Sequence, residues 1–158
     1  MEKIKWGIIG PGNIANNFAD GLKGSYSGQL VSIASKSEDR RKNFGDKYDI
    51  HPDFRFDSYE DIINSEHIDA IYISTPHTLH AQWTIKAAGK GKHILCEKPG
   101  AINFNEGKKI IDAVREAGVF YMEGFMYRCH PQIPKLVEII KNKIIGDVIS
   151  IETSFGFD

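Results

Sequence analysis

The chain has 158 residues, a formal net charge of −1 and an isoelectric point near 6.6. This length suits one main domain with a core of its own, and the balanced charge lacks the basic patch of a nucleic-acid-binding protein. Without a run of about 18 apolar residues or a signal-peptide core, the sequence predicts a soluble, cytoplasmic protein with neither nucleic-acid nor membrane partners. Cys96 and Cys129 lie far apart without C-x-x-C spacing, so we expect reduced thiols and no metal site.

A strand predicted at the start of the chain leads directly into a glycine-rich loop of the form G-x-G-x-x-A. In a dinucleotide-binding loop of this form, Gly10 permits the tight turn, Gly12 lets the backbone approach a pyrophosphate, and Ala15 allows close packing of helix on strand. Asn13 and Ile14 begin the predicted helix, whose free N–H groups and positive dipole end favour phosphate. A strand-to-helix turn without a ligand is the alternative. The order of strand, loop and helix favours a Rossmann-type site.

Further short apolar runs alternate with helical patterns along the chain. The predicted strands cover residues 4–9, 30–34, 70–73, 93–96 and 119–122. Helical spacing predicts core-facing stripes at Ile14, Phe18 and Leu22, at Leu79, Trp83 and Ala87, and at Phe104, Gly107, Ile111 and Val114. Ser58 followed by Asp61 predicts the start of a helix, and Gly89 and Gly118 predict the ends of two others. The alternation predicts an α/β fold with a doubly wound parallel sheet.

The pattern changes after residue 122. Pro131 precedes a helical stripe formed by Ile133, Leu136, Val137, Ile140 and Ile144. After a turn at Ile145-Gly146-Asp147, residues 148–155 alternate like a strand of a different, half-exposed sheet. An exposed terminal strand is an aggregation liability, so we expect a second domain to begin here.

In doubly wound sheets, ligands bind beyond the carboxyl ends of the strands. At the end of the strand over 30–34, where an NAD site usually carries an acid, the sequence has Ser35 and Lys36, with Arg40 one helical turn further on. A hydroxyl and two cations suit the 2′-phosphate of NADP. The alternative is a solvated helix start from which Glu38 reaches a ribose. We therefore expect NADP as the cofactor, with NAD possible.

Three later segments carry a family resemblance. They are Ser74-Thr75-Pro76-His77-Thr78-Leu79-His80, Cys96-Glu97-Lys98-Pro99-Gly100 and Glu123-Gly124-Phe125-Met126-Tyr127-Arg128-Cys129-His130-Pro131. With the glycine loop before them, they resemble the Gfo/Idh/MocA oxidoreductase family over essentially the whole chain, and Glu-Lys-Pro is that family's hallmark. The last segment is most similar to members related to dihydrodiol and xylose dehydrogenases.

The resemblance implies hydride transfer between a nicotinamide and a hydroxyl-bearing carbon of a sugar, inositol or cyclic diol. Lys98 would be the central catalytic residue, hydrogen-bonding the substrate oxygen, while Glu97 would bind the nicotinamide ribose and orient the lysine. It also implies a second catalytic group and further cofactor contacts: His80 at the substrate, and Thr75, Pro76, His77 and Arg128 at the cofactor. Without the resemblance, Glu97 and Lys98 would form a surface ion pair, and the two histidines would be helix caps or satisfied hydrogen-bonding groups.

We expect a dinucleotide-binding domain over residues 1–122, a connecting helix over 123–147 that completes it, and the first strand of a further α/β domain over 148–158. The resemblance implies a helix with a D-x-x-x-H segment in that further domain and a homo-oligomer of the longer protein, with a small polyol or sugar as substrate. A second hypothesis is a nucleotide-binding module without turnover, acting as a sensor or partner subunit. The Glu97-Lys98-Pro99 segment favours the enzyme.

Overall fold

The computed structural model describes residues 2–156. The chain divides into two compact units, one ending at Gly124 and the other beginning at Phe125. The expected boundary after residue 122 lies just before this division.

The first unit is built on one six-stranded parallel sheet. Its strands are β1 (Ile4–Ile9), β2 (Gly28–Ala34), β3 (Arg55–Phe56), β4 (Ala70–Ile73), β5 (His93–Cys96) and β6 (Tyr121–Glu123). The spatial order is β3-β2-β1-β4-β5-β6, so the direction of winding reverses between β1 and β4. This order is that of dinucleotide-binding Rossmann folds, and it confirms the predicted doubly wound sheet.

Helices cover both faces of this sheet. They are α1 (Asn13–Lys23), α2 (Glu38–Lys47), α3 (Tyr59–Asn64), α4 (His80–Ala88) and α5 (Phe104–Ala117). Consecutive residues of β1 serve opposite faces: Ile8 packs in a cluster with Ala15 of α1 and Phe44 of α2, whereas Ile9 packs with residues of α3, α4 and α5. Both faces are therefore apolar, as parallel sheets require.

The predicted helix boundaries are confirmed at three positions. The side chain of Ser58 accepts a hydrogen bond from the Glu60 N–H and caps the start of α3. At the other ends, α4 stops before Gly89, and α5 stops before Gly118, which adopts the left-handed conformation with φ of 64°. Glycine reaches this conformation without steric cost, which explains its place at the helix end.

Some details predicted for the first unit were wrong or missed. Ile14, predicted in the core stripe of α1, is 39% exposed. Phe104 is 83% exposed and Ile111 is 40% exposed, so they do not form the core stripe of α5. Val114 of the predicted stripe is buried, and the residue that shares its buried face is Ile110, four residues earlier on the adjacent turn. Strand β3 was not predicted, because two residues paired only with the end of β2 leave no periodic signal.

The second unit contains the predicted helix but not the predicted strand. A 3₁₀ turn, Met126–Cys129, precedes α6 (Gln132–Lys141), which begins directly after Pro131. Residues 148–156 form no strand, and the last two residues of the prediction lie outside the described range. Alternation permits a strand, but its backbone hydrogen bonds come from a neighbouring strand, and the described part of this unit has none. None of the helices in the described range is long and apolar enough to cross a membrane.

Candidate functional site

The strand register brings five strand ends to one edge of the sheet. Ile9 lies opposite both Ala34 and Ile73, Ile73 lies opposite Cys96, and Cys96 lies opposite Glu123. The residues that follow these positions share this edge: Gly10, Ser35, Ser74, Glu97 and Gly124. Ligands of doubly wound folds bind at this edge, next to the point where the winding reverses.

Gly10 is fixed by the fold itself. Its φ is +90°, and a Cβ atom added there would lie 3.0 Å from the carbonyl oxygen of Ser74. The Ser74 hydroxyl donates a 2.7 Å hydrogen bond to the Gly10 carbonyl, and the Gly12 N–H donates to the same oxygen at 2.9 Å. The loop is thus held against the end of β4 in a backbone conformation that favours glycine.

Gly12 has no such constraint. Its φ is −93°, and an added Cβ would have no atom of the described unit within 4 Å. It is the residue before α1, whose first turn carries no acidic side chain and whose start has no side-chain cap. The free N–H groups of this turn and the open space over Gly12 fit a pyrophosphate. Ala15 is fully buried, consistent with its predicted packing role, whereas Asn13 and Ile14 are exposed.

Ser35, at the end of β2, is buried and takes part in the hydrogen bonds of the turn that follows the strand. Ser35 is 4% exposed, and its hydroxyl accepts a hydrogen bond from the Ser37 N–H. Its carbonyl accepts a 2.7 Å bond from the Arg41 guanidinium. Ser37 in turn caps α2 by accepting from the Arg40 N–H. The hydroxyl of Ser35 therefore shapes the turn through its acceptor side, and its predicted contact with the 2′-phosphate stays a prediction.

Lys36 and Arg40 both lie close to Tyr59. The Lys36 Nζ is 5.6 Å from the centre of the Tyr59 ring, and the Arg40 charge partly offsets the rise in the pKa of Tyr59 that burial causes. Both cations are exposed and neither forms an ion pair with a described carboxylate. Two free cations beside one aromatic ring provide a positive site at the tip of β2.

The predicted cofactor contacts in the segment after β4 differ in their exposure to solvent. Thr75 is 6% exposed, and its hydroxyl has no hydrogen-bond partner among the described residues. Pro76 and His77 are exposed at the start of a 3₁₀ turn, His77–Leu79. Of the predicted cofactor contacts in this segment, Pro76 and His77 are accessible, whereas the Thr75 side chain is shielded from solvent.

His80 does not fit the predicted contact with substrate. It is fully buried at the start of α4, and both ring nitrogens lie 2.8 Å from backbone carbonyl oxygens: Nδ1 from Pro99 and Nε2 from Thr75. A side chain enclosed in this way has no free atom for a substrate. Its role is to tie the loop after β4 to the turn after β5.

The Glu97-Lys98-Pro99 turn is fixed on both sides of Lys98. The Glu97 N–H donates to the Ile73 carbonyl at 2.9 Å, and the Gly100 N–H donates to the Glu123 carboxylate at 2.7 Å. The Lys98–Pro99 peptide bond is cis. Lys98 itself is exposed, and its ammonium makes no ion pair or hydrogen bond within the described part of this unit. A free cation therefore stands on a rigid turn at the ligand edge.

Glu97 contacts a residue that the sequence analysis did not single out. The Tyr72 hydroxyl donates a 2.7 Å hydrogen bond to Glu97 Oε1. Burial, and then this hydrogen bond, raise the pKa of Tyr72 above its usual range, so the phenol remains a donor. The predicted contact through which Glu97 orients Lys98 is not formed. The alignment of β4 with β5 could be predicted from the sequence. The Tyr72–Glu97 contact was missed because a tyrosine in a buried strand is ordinarily interpreted as a core residue.

The remaining predicted groups lie elsewhere. Cys96 is buried and Cys129 is exposed, and both are free thiols. Burial raises the pKa of the Cys96 thiol to about 12. Arg128 belongs to the second unit, in the 3₁₀ turn Met126–Cys129, so its cofactor contact stays a prediction. Among residues 2–156, no group of three or more His, Cys, Asp or Glu side chains is placed to hold a metal ion.

Comparison with known proteins agrees with this geometry. The model of the GFO_IDH_MocA oxidoreductase family, described as an NAD-binding Rossmann fold, matches residues 4–125. Trans-1,2-dihydrobenzene-1,2-diol dehydrogenase of Mus musculus is 32% identical over 98% of this chain and 46% of its own length. D-xylose 1-dehydrogenase (NADP(+)) 2 of Haloferax volcanii is 34% identical over 98% of this chain and 46% of its own length.

Solved structures share the fold as well. KijD10, a 3-ketoreductase from Actinomadura kijaniata in complex with TDP-benzene and NADP, superposes with a TM-score of 0.82 and 31% identity over 92% of this chain and 45% of its own. The chain thus spans less than half the length of each of these relatives. The predicted resemblance and the predicted nicotinamide dinucleotide cofactor are confirmed at the level of the family.

Proposed function

Because the chain belongs to the Gfo/Idh/MocA family of oxidoreductases with an NAD-binding Rossmann fold, we propose that its protein is an NADP-dependent dehydrogenase or reductase of a small sugar or cyclic diol. The observation that carries the proposal is the position of Lys98. It is a free cation on a turn held by Ile73 and Glu123, at the same sheet edge as the open loop at Gly12.

The cofactor would lie along this edge, held by different groups at its two ends. Gly12 and the first turn of α1 would hold the pyrophosphate, and Lys36 with Arg40 would hold the 2′-phosphate. The Glu97 carboxylate would accept hydrogen bonds from the hydroxyls of the nicotinamide ribose, as acidic residues do with ribose hydroxyls. Arg128 remains part of the proposal as a further cofactor contact.

Lys98 would act on the substrate oxygen. When bound, a nicotinamide supplies or accepts a hydride at the substrate carbon. As the substrate oxygen changes between hydroxyl and carbonyl, negative charge develops on it, and the Lys98 ammonium donates a hydrogen bond there. In the reduction direction this ammonium would give a proton to the oxygen, and in the oxidation direction the neutral amine would accept the proton that the hydroxyl releases. A fixed turn places this donor before reaction, so that little reorganisation is required.

The substrate class is supported by the names of relatives. The two dehydrogenases named above act on a dihydrobenzene diol and on D-xylose, and both substrates carry a hydroxyl next to another hydroxyl or ring oxygen. KijD10 is named as a ketoreductase and was solved with NADP. These names favour NADP and a hydroxyl-bearing ring carbon for the protein that contains this chain.

The cofactor half of the proposal is tested by titrating the 158-residue chain with NADPH and NADH and following cofactor fluorescence. We expect saturable binding of both and tighter binding of NADPH, because two cations replace the acid of an NAD site. Binding of neither cofactor would contradict the proposal, and tighter binding of NADH would contradict the NADP preference.

The catalytic half needs the longer protein, assayed for NADP reduction with D-xylose and with trans-dihydrobenzene diol. Turnover of a member of either class is the expected result. A protein that binds NADPH tightly but turns over no sugar or diol would instead be the nucleotide-binding module without turnover.

A further inference from the structure

Tyr72 is a buried strand tyrosine with a single polar contact. It is 2% exposed in the middle of β4, and its hydroxyl donates to Glu97 Oε1 at 2.7 Å. Tyrosine in a buried strand usually contributes apolar area, and its hydroxyl must then find a partner. Here the partner is the Glu97 carboxylate at the end of β5. The contact therefore gives the phenol its hydrogen bond and also restrains a carboxylate of the candidate site.

The register explains why these two side chains meet. Tyr72 lies opposite Leu95 on the neighbouring strand, and Glu97 is two residues beyond Leu95. Side chains two apart on a strand point to the same face, so Tyr72 and Glu97 share a face. On that face the Tyr72 ring stacks on Phe18 of α1 with ring centres 4.1 Å apart. Tyr72 therefore connects α1, which begins at the phosphate loop, with the carboxylate that follows the neighbouring strand β5.

The contact engages only one side of the carboxylate. Oε1 is held by Tyr72, which leaves Oε2 with no hydrogen bond within the described unit. At the neighbouring strand end, a Cβ added to Gly124 would lie 3.1 Å from Oε1, so the absence of a side chain there leaves room for the carboxylate in this orientation. An ionised carboxylate can accept several hydrogen bonds and has capacity for a vicinal diol.

We propose that Tyr72 is a positioning residue that holds the Glu97 carboxylate in the orientation that accepts the hydroxyls of the nicotinamide ribose. This assignment rests on the proposed cofactor function. A purely structural role would affect binding of the whole cofactor, whereas the proposed role of Tyr72 affects only the nicotinamide ribose end. The pyrophosphate loop and the cations at the tip of β2 are untouched by the hydroxyl.

The test compares NADPH with adenosine 2′,5′-bisphosphate, which lacks the nicotinamide ribose, in Tyr72→Phe. The variant keeps the ring and its stacking on Phe18. Losing the hydrogen bond should weaken NADPH binding by about 2–10-fold, while binding of the bisphosphate changes by less than about twofold. Tyr121→Phe is the matched control: Tyr121 is a half-buried tyrosine of the same sheet whose hydroxyl makes no hydrogen bond in the described residues, and it should bind both ligands like the parent chain.

A double-mutant cycle assigns the effect to Glu97. In a Glu97→Ala background, adding Tyr72→Phe should cause no further loss of NADPH affinity, because the positioned group is already absent. Equal loss in both backgrounds would overturn the assignment, as would unchanged NADPH binding by Tyr72→Phe. Loss of both ligands by Tyr72→Phe would also overturn it, since the hydroxyl would then be needed for the fold. If the parent chain bound neither ligand, the proposed function itself would fail.

Discussion

The Ser74 hydroxyl donates a 2.7 Å hydrogen bond to the Gly10 carbonyl and so joins the ends of β1 and β4 where the winding of the sheet reverses. This contact fixes the first half of the glycine loop from within the fold. Gly12, two residues later, faces open space instead. Gly10 is therefore required by the backbone conformation and Gly12 by the space that a ligand would occupy. Substitutions should affect stability at Gly10 and cofactor binding at Gly12.

Gly12→Val should abolish NADPH binding while leaving the fold intact. The new Cβ has no atom of the described unit within 4 Å, and the valine side chain extends into the space in which the pyrophosphate would lie. We expect at least a tenfold loss of affinity, which corresponds to about 1.4 kcal/mol of binding free energy. Cofactor fluorescence measures the affinity, and thermal unfolding should give a midpoint within a few degrees of the parent.

Gly10→Ala is the matched contrast. A Cβ at this position has the wrong φ and lies 3.0 Å from the Ser74 carbonyl, so the free energy of unfolding should fall by about 1–3 kcal/mol. Denaturant titration measures this. If Gly12→Val bound NADPH normally, the loop would be only a turn, and if Gly12→Val were the less stable of the two variants, the open space would be misassigned.

Lys36→Ala should weaken NADPH binding and leave NADH binding unchanged. The ammonium beside Tyr59 has no carboxylate partner among residues 2–156 and would face the 2′-phosphate, which NADH lacks. Because the site is exposed, we expect a loss of about 3–30-fold, reduced by added salt. Lys42→Ala is the control: Lys42 is an exposed lysine of α2, the helix that follows Lys36, and it pairs with Asp46. An equal loss for NADH would remove Lys36 from phosphate recognition.

The fold was largely predictable because its strands are buried on both faces. Apolar runs such as 70–73 and 93–96 appear in the structure with the same bounds. The second-domain strand over 148–155 was not formed, because strand structure depends on a neighbour that the pattern itself does not supply. Phe104 was misplaced for a related reason: spacing defines a stripe, but the packing of α5 decides which stripe is buried.

The loops of the site were predictable from their motifs, but the contacts of the side chains within them were not. The family resemblance implied a substrate contact for His80, yet the partners of its ring are the carbonyls of Thr75 and Pro99, the latter 19 residues away. Tyr72 reaches Glu97 across 25 residues of sequence. Such pairings arise only when neighbouring strands are aligned in three dimensions.

His80→Ala should destabilise the first unit. Removing the ring takes away the imidazole contacts of the Thr75 and Pro99 carbonyl oxygens and opens a cavity in a fully buried site. We expect the free energy of unfolding to fall by about 2–4 kcal/mol. His77→Ala, at an exposed neighbouring position, should change it by less than about 0.5 kcal/mol. Equal, small effects of both variants in urea unfolding would show that the His80 bridge contributes little.

Cys96 should resist thiol reagents in the folded protein, while Cys129 should react. Burial raises the pKa of Cys96 from 9.0 to about 12, so almost no thiolate forms at pH 8. Because the folded pKa lies above the unfolded one, the corresponding stabilisation is complete below pH 9 and is lost as the pH rises towards 12. Mass spectrometry after iodoacetamide treatment should show one label at pH 8 and two in urea. Two labels in the folded chain would contradict the burial of Cys96.

Lys98→Ala tests the catalytic assignment in the longer protein that contains this sequence. The turn around Lys98 is held by the backbone of Glu97 and Gly100 and by the His80 contact to Pro99, none of which uses the lysine side chain. The variant should therefore keep the fold and the cofactor site.

Removing a donor that stabilises charge in the transition state should lower kcat by about 10²–10³-fold, with NADPH affinity changed by less than about threefold. Lys98→Arg, which keeps the charge but not the position or the transferable proton, should recover only a small part of this loss. Steady-state kinetics with the preferred sugar or diol, together with NADPH titration, measures both quantities. Near-normal kcat in Lys98→Ala would exclude Lys98 as the proton donor, and a parallel collapse of NADPH binding would make it a cofactor-binding residue instead.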